Sequence, residues 1–120
     1  RVLVGPSAIV LALMAGGQPA AGIEWLNLPV RRGQRLVGRI ESWSSEATPM
    51  IAFIRFKSPQ GRILANYAYP LNPKTGVDIN LPVDFDGTNA LDVLIEIMTS
   101  GAQDNHHAGA KMRRFRLVTP

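Results

Sequence analysis

The densest set of side chains that could do chemistry lies in residues 102–116, AQDNHHAGAKMRRFR. Two histidines and a carboxylate suggest zinc, but adjacent residues on an extended backbone point to opposite sides. The chain has no other histidine and no cysteine, so too few zinc ligands remain. We interpret the segment as a solvated loop that leads into a basic strand. The alternative is that its polar side chains hydrogen-bond a ligand at the loop end of a β-sandwich; these are Asp104, Asn105, His106 and His107.

Basic residues around an aromatic ring, as in KMRRFR (111–116), could bind phosphates and stack a base. Regular alternation would place Phe115 and Leu117 in the core, and arginines on a solvent face. It predicts one face with Arg113, Phe115 and Leu117, and another with Met112, Arg114 and Arg116. No recognised nucleic-acid motif accompanies them, so nucleic acid is not an expected partner. Arginine on a last strand more often protects a sheet edge from unwanted pairing.

Oxygen ligands are concentrated in DFDGTNALD, residues 84–92. Carboxylates on a turn are what calcium uses, but the spacing of an EF-hand, with its final Glu, is absent. The favoured interpretation is an Asp-Gly turn that joins two strands. If a metal is bound, the sequence predicts a structural calcium on Asp84, Asp86 and Asp92, and no other cofactor is expected.

Four aromatic side chains are informative about ligand binding. Trp43 lies in the polar segment ESWSSEATP, which favours an exposed stacking platform, whereas Trp25 lies in a strand pattern and is expected in the core. Tyr67 and Tyr69 share one face of a predicted strand. They could line a groove, or they could pack inward with their hydroxyls at the rim, and the sequence leaves both open.

Signatures of catalysis are missing. The sequence has no G-x-S-x-G, no glycine-rich phosphate loop and no H-E-x-x-H, and without cysteine it has no thiolate nucleophile. A serine triad would need His106 or His107, and no serine is marked as its nucleophile. The carboxylate pair of a glycoside hydrolase is defined by spatial separation, but the acids here alternate outward, as solvating residues do. We therefore predict that the protein is not an enzyme.

Short strands are the elements that must position these residues. The chain of 120 residues is long enough for one domain with a real core, and 46% hydrophobic against 18% charged residues is a globular balance. Alternation is clearest in VDINLPVDF (77–85), and SPQG (58–61) is a turn signal that predicts a hairpin between 50–57 and 62–70. About nine short strands without a convincing amphipathic helix predict an antiparallel sandwich or barrel over residues 1–120.

The N-terminal segment RVLVGPSAIVLALMAGGQPAAG imitates a signal peptide. Large Ile9, Leu11 and Leu13 alternate with smaller residues, however, which is typical of a strand, and the apolar run is short for a membrane span. No membrane span is therefore expected. Because the chain begins with Arg, it is expected to be a processed product or one domain of a longer protein.

The order of strands and turns resembles that of the jelly-roll carbohydrate-binding modules appended to polysaccharide-active enzymes. The likeness lies in IEWLNLPVRRGQRLVGRIES (23–42), IRFKSPQGRIL (54–64) and GVDINLPVDFDGTNALDVLIEIM (76–98). It implies an all-β, antiparallel jelly-roll sandwich of about eight or nine strands in two sheets. It also implies a polysaccharide or oligosaccharide ligand, bound by Trp43, Tyr67 and Tyr69 with Asp104, Asn105, His106 and His107 as polar neighbours, and a structural calcium is common in the family.

Two function classes follow. The first is a non-catalytic carbohydrate-binding accessory domain, with an extracellular or cell-surface location favoured. The second is a structural module of a larger complex, such as a virus or cell-surface protein, which buries an apolar face against a partner or another copy of itself. The second class would use Ile51, Phe53, Leu94 and Met98. A net charge of +4 mildly favours anionic partners in either case.

Overall fold

A computed structural model describes residues 21–42, 49–72, 75–99 and 109–119, and residues 8–12 as backbone. Every regular element in these ranges is a β-strand. The strands are β1 (Ala8–Ala12), β2 (Ala21–Pro29), β3 (Arg35–Ser42), β4 (Met50–Lys57), β5 (Ile63–Leu71), β6 (Gly76–Pro82), β7 (Ala90–Thr99) and β8 (Gly109–Val118). The all-β prediction is therefore confirmed, and no helix long and apolar enough to cross a membrane occurs in these ranges.

The strands form two antiparallel sheets. The first sheet has the order β1-β8-β3-β6 and the second has the order β2-β7-β4-β5. β1 pairs with β8, β2 with β7, β3 with β6 and β4 with β5, so the pairs are nested around the β4–β5 hairpin. Long-range pairing thus brings residues near both ends of the chain into the same sheet.

Alternating side chains from both sheets build one core. Along β4 and β7, every second residue is buried, because these strands lie in the middle of the second sheet. Apolar residues that recur with period two face the interior, and burying them is the main stabilising term. The largest fully buried side chains include Leu36, Ile40, Ile79 and Met112 from the first sheet and Ile54, Phe56, Ile95 and Ile97 from the second.

The predicted hairpin turn is confirmed. Ser58 begins a tight turn in which the Gly61 amide donates to the Ser58 carbonyl at 2.9 Å, and Gly61 has a φ of 97°, which favours glycine. The Ser58 hydroxyl accepts a hydrogen bond from the Arg62 amide at 3.1 Å, which stabilises the same turn. The turn therefore fixes the register of β4 against β5, with Arg55 opposite Asn66.

A buried glutamine connects three chain segments. Gln34 is 4% exposed, and its side-chain oxygen accepts a hydrogen bond from the Arg31 amide at 2.7 Å. Its side-chain nitrogen donates to the Thr119 hydroxyl at 3.4 Å, and its backbone carbonyl accepts a hydrogen bond from the Val83 amide at 3.3 Å. The turn between β2 and β3 is thereby tied to the ends of β6 and β8.

Two β-bulges interrupt the ladders. One lies in β2 between Trp25 and Leu28, where Asn27 has a φ of 53°. The other lies opposite Gly38, between β3 and β8, where Arg114 has a φ of 57°. A bulge adds one residue to one strand and so reverses the faces of the residues beyond it.

The bulge at Arg114 overturns the predicted faces of β8. Arg113 lies opposite Arg39 and points outward, while Phe115 packs against the core, so these two residues are not on one face. Met112 is buried and does not share a face with Arg114 and Arg116. The prediction assumed regular alternation, and the extra residue shifts it by one.

Candidate functional site

The outward side of the second sheet carries a mixed apolar and polar depression, which we call the outer groove. It arises because every second residue of β4 and β7 is buried in the core, so that the residues between them face outward. The groove has a volume of about 350 Å³. It is lined by Phe53, Arg55, Asn66, Tyr67, Ala68, Leu94, Glu96 and Met98.

Cross-strand register brings the lining residues together. Phe53 lies opposite Ala68 on β5 and opposite Glu96 on β7. Arg55 lies opposite Asn66 on one side, where its Nε donates to the Asn66 Oδ1 at 3.0 Å, and opposite Leu94 on the other. The groove therefore has a half-buried aromatic ring with an oriented guanidinium, an amide and a carboxylate beside it.

Such a set of side chains can bind an amphipathic ligand. The faces of Phe53, Leu94 and Met98 offer apolar contact area, and aromatic rings provide the largest part of such area per residue. A guanidinium donates, a carboxylate accepts, and an amide does both, so hydroxyl groups of a ligand could be satisfied at the same time. A largely apolar depression with a few convergent polar groups is typical of ligand sites.

The tyrosine pair lies on the inner side of the edge strand β5. Tyr67 and Tyr69 are opposite the buried residues Ile54 and Ala52, and both pack against the core. The Tyr67 ring meets Phe56 edge-on with centroids 5.9 Å apart, and atoms of Tyr67 also line the outer groove. Burial raises the pKa of the Tyr69 hydroxyl, and the neighbouring Tyr67 raises it further. Both rings pack inward and Tyr67 also borders the outer groove, so the role of the two tyrosines in ligand binding stays a prediction.

The remaining predicted ligand contacts lie outside the described residues. They are Trp43, Asp104, Asn105, His106 and His107. Their role in ligand binding stays a prediction. Trp25, expected in the core, is half-buried and packs against it.

The three acids assigned to calcium have separate surroundings. Asp84 Oδ2 accepts a hydrogen bond from the Gly33 amide at 2.9 Å, and Asp84 and Asp86 line a small depression together with Arg32. Asp92 Oδ1 instead accepts from the Asn27 amide at 2.9 Å and so supports the bulge in β2. Among the described residues, no three acidic or histidine side chains converge in a group that could hold a metal ion. The calcium site stays a prediction, which a calcium titration of thermal unfolding would test.

The sequence did not predict that the polar and apolar residues lining the outer groove form one site. Phe53, Leu94 and Met98 were recognised as part of an apolar second face, but Arg55, Asn66 and Glu96 were not joined to them. The hairpin turn carried enough information to place Arg55 opposite Asn66. The register of β4 against β7, which adds Glu96, joins segments far apart in sequence and has no local signal.

No family model matches the sequence, and no curated protein is significantly similar to it. The chemistry of the outer groove therefore carries the functional argument.

Proposed function

We propose that the protein is a non-catalytic binding module of jelly-roll type that holds carbohydrate in the outer groove. The jelly-roll assignment is supported by the nested pairing of β1 with β8, β2 with β7, β3 with β6 and β4 with β5, divided between two four-stranded sheets. Eight strands arranged as two Greek keys are the definition of that fold, which occurs in lectin domains and in viral capsids.

The observation that carries the proposal is the position of Phe53 among polar side chains. A sugar ring has an apolar face of C–H groups and a rim of hydroxyls. Phe53 can cover the face, while Arg55, Asn66 and Glu96 lie beside it to bond the rim. Asn66 and Arg55 already hold each other in place at 3.0 Å, which lowers the entropy lost when a ligand binds.

Binding without catalysis is supported by the carboxylates of the groove. Glycoside hydrolysis by the usual mechanisms needs two carboxyl groups on either side of the scissile bond. Among the described residues that line the outer groove, Glu96 is the sole carboxylate. A single acceptor of this kind fits hydrogen bonding to a hydroxyl better than acid–base chemistry.

A second candidate function is assembly through the same face. The apolar side chains of Phe53, Leu94 and Met98 meet in one depression, and contiguous apolar surface of this kind also marks protein interfaces. In that case the face would bury against a partner or another copy of the chain, as in a structural protein. The same substitutions affect both functions, so the ligand decides between them.

The test is binding to neutral hexasaccharides of β-1,4-glucose, β-1,4-xylose, β-1,4-mannose and α-1,4-glucose, measured by calorimetry. We expect at least one of these sugars to bind, and we expect Phe53→Ala to weaken that binding by at least about tenfold. The reason is that an aromatic contact contributes about 1.4 kcal/mol, and a loss of that size corresponds to a tenfold change in Kd. Leu26→Ala is the matched control, since Leu26 is 65% exposed and lies outside the groove.

The outcomes separate the two candidates. Absence of binding to all four sugars and to a broad glycan array would end the carbohydrate proposal. Sedimentation equilibrium that shows dimers dissociated by Phe53→Ala would then support assembly. A protein that is monomeric and also binds no glycan would contradict both carbohydrate binding and assembly with a second copy of the chain.

A further inference from the structure

The outward side of the first sheet is a strongly basic surface, which we call the arginine face. Outward positions of β3 alternate with the buried Leu36 and Ile40, and those of β8 with the buried Ala110 and Met112. The cationic side chains of this face are Arg35, Arg39, Lys111, Arg113, Arg114 and Arg116. It lies on the opposite side of the molecule from the outer groove.

Carboxylates offset only a minority of this charge. On the outward positions of β3, β6 and β8, the acids are Glu41 and Asp78, against six cations. The excess of four equals the formal net charge of the whole chain, which is +4. Among the other residues that the structure describes, five cations and five acids balance, so the excess positive charge of the described residues lies on this face.

The two carboxylates orient part of the cluster. Arg39 and Arg113 lie directly opposite each other on neighbouring strands, and Glu41 bridges them with its Oε2 3.3 Å from the Arg39 Nε and its Oε1 2.6 Å from the Arg113 Nε. Asp78 contacts the Arg39 Nη1 at 2.9 Å. These contacts offset the repulsion between two neighbouring like charges, and they orient the two guanidinium groups.

The other end of the cluster is less compensated. The Arg116 Nη1 donates to the Arg114 carbonyl at 2.7 Å, and within the part of the chain that the structure describes neither arginine contacts a carboxylate. Arg114 and Arg116 are both exposed. Together with Arg39, Arg113 and Asn80 they border a shallow depression of about 440 Å³. Exposed guanidinium groups around a depression are suited to paired hydrogen bonds with planar or tetrahedral anionic groups.

We propose that the arginine face binds an anionic polysaccharide through its carboxylate or sulfate groups. The charge complementarity requires an anion, and cations spread over two neighbouring strands fit a polymer with repeated charges better than a single small ion. This site is separate from the outer groove and goes beyond the neutral carbohydrate binding proposed there.

A single-stranded nucleic acid is the less suitable polyanion. Sequence-tolerant binding of single strands combines basic residues with aromatic platforms for the bases. The strands β3, β6 and β8 contain one aromatic residue, Phe115, and its ring packs inward over Gly38 and against the core. The described part of this face therefore offers charge and hydrogen-bond donors without a stacking surface.

The test compares heparin, polygalacturonate, dextran and a single-stranded oligothymidylate of similar length, by calorimetry at several salt concentrations. We expect binding to heparin or polygalacturonate, none to dextran, and affinity that falls as salt rises because counterions are released. Arg114→Asn with Arg116→Ala should lower that affinity at least about tenfold. It should also reduce the salt slope by about one for each arginine that no longer pairs with an anionic group of the polymer. Asn is chosen at position 114 because it tolerates the φ of 57° found there.

The matched control removes the same charge elsewhere. Arg31→Ala with Arg32→Ala deletes two exposed arginines of the turn before β3, and it should change the affinity by less than about threefold, an effect of net charge alone. Arg116→Ala by itself serves if the double variant of the face does not fold. Phe53→Ala should leave polyanion binding intact, so this proposal and the neutral-sugar proposal fail independently.

Three results would overturn the inference. They are absence of binding to both acidic polysaccharides at low salt, an equal loss in the Arg31/Arg32 control, and oligothymidylate binding at least as tight as that of either polysaccharide. The last result would identify the arginine face as a nucleic-acid surface instead.

Discussion

The ring of Phe115 occupies the space that a side chain at position 38 would need. A Cβ added to Gly38 would lie 2.7 Å from the Cγ and Cδ2 atoms of that ring, closer than carbon atoms approach without strain. The bulge at Arg114 sends Phe115 inward at this point, and it leaves Arg113 and Arg116 on the outer side. One extra residue in β8 thus completes the core and creates the arginine face.

Substitution of Gly38 by Ala should destabilise the protein by about 1–3 kcal/mol, because the added methyl group displaces an aromatic ring that packs against the core. Urea denaturation measures the change. In the background of Phe115→Ala, the same substitution should cost at least about 1 kcal/mol less, since the clashing ring is gone. Additive costs in the double variant would contradict the packing described for these two residues.

Glu41 should make stability depend on pH. The hydrogen bond from Arg113 is the main cause that lowers the pKa of this carboxyl, and Arg39 lowers it further, while partial burial works in the opposite direction. Because the pKa is lower in the folded state than the ordinary value of 4.5, the contribution to stability is present above that value and is lost as pH falls through the folded pKa.

Glu41→Gln should therefore be less stable than the wild type at pH 7, by up to about 1 kcal/mol, as expected for a surface ion pair. The difference should shrink at pH 3, because that pH lies below the ordinary pKa of 4.5, where the stabilising contribution is no longer complete. Denaturant midpoints at the two pH values measure it, and Glu24→Gln, which removes the same charge from an exposed position on β2, controls for net charge. A gap that is as wide at pH 3 as at pH 7 would be inconsistent with this account.

Gln34 should contribute to stability through its part-buried hydrogen bonds. Gln34→Leu keeps much of the volume but leaves the Arg31 amide without its side-chain acceptor, and the loss of such a hydrogen bond costs about 1 kcal/mol. The loss appears as a lower Tm in thermal unfolding. Gln60→Leu, in the exposed turn after β4, is the control and should leave the Tm nearly unchanged. Equal melting of Gln34→Leu and the wild type would show that the hydrogen bonds of Gln34 are not stabilising.

Local signals in the sequence predicted the strands well. Alternation in VDINLPVDF correctly placed Ile79, Leu81 and Val83 inward and Asp78 and Asn80 outward. The SPQG turn correctly predicted the hairpin of β4 and β5. Both patterns act over a few residues, through backbone conformation and the pleat, so one sequence is enough to reveal them.

Features that depend on distant segments were harder to predict. The bulge at Arg114 needs the space over Gly38 on another strand, and KMRRFR has no turn residue to mark it. Tyr67 and Tyr69 face inward because they lie opposite the buried Ile54 and Ala52. Alternation alone shows that the two tyrosines share a face, but it does not show whether that face is the inner or the outer one. The outer groove is formed by residues of β4, β5 and β7. The proximity of its polar residues therefore depends on the pairing of these strands and could not be predicted from any one segment.

The most direct test of carbohydrate binding in the outer groove is a ¹⁵N–¹H correlation spectrum recorded during titration with the neutral hexasaccharide that binds best. The account predicts shifts concentrated at the amides of Phe53, Arg55, Asn66, Leu94 and Glu96, with those of Arg39, Arg113 and Arg116 unmoved. Shifts confined to the arginine face, or no shifts with any of the four sugars at millimolar concentration, would contradict it.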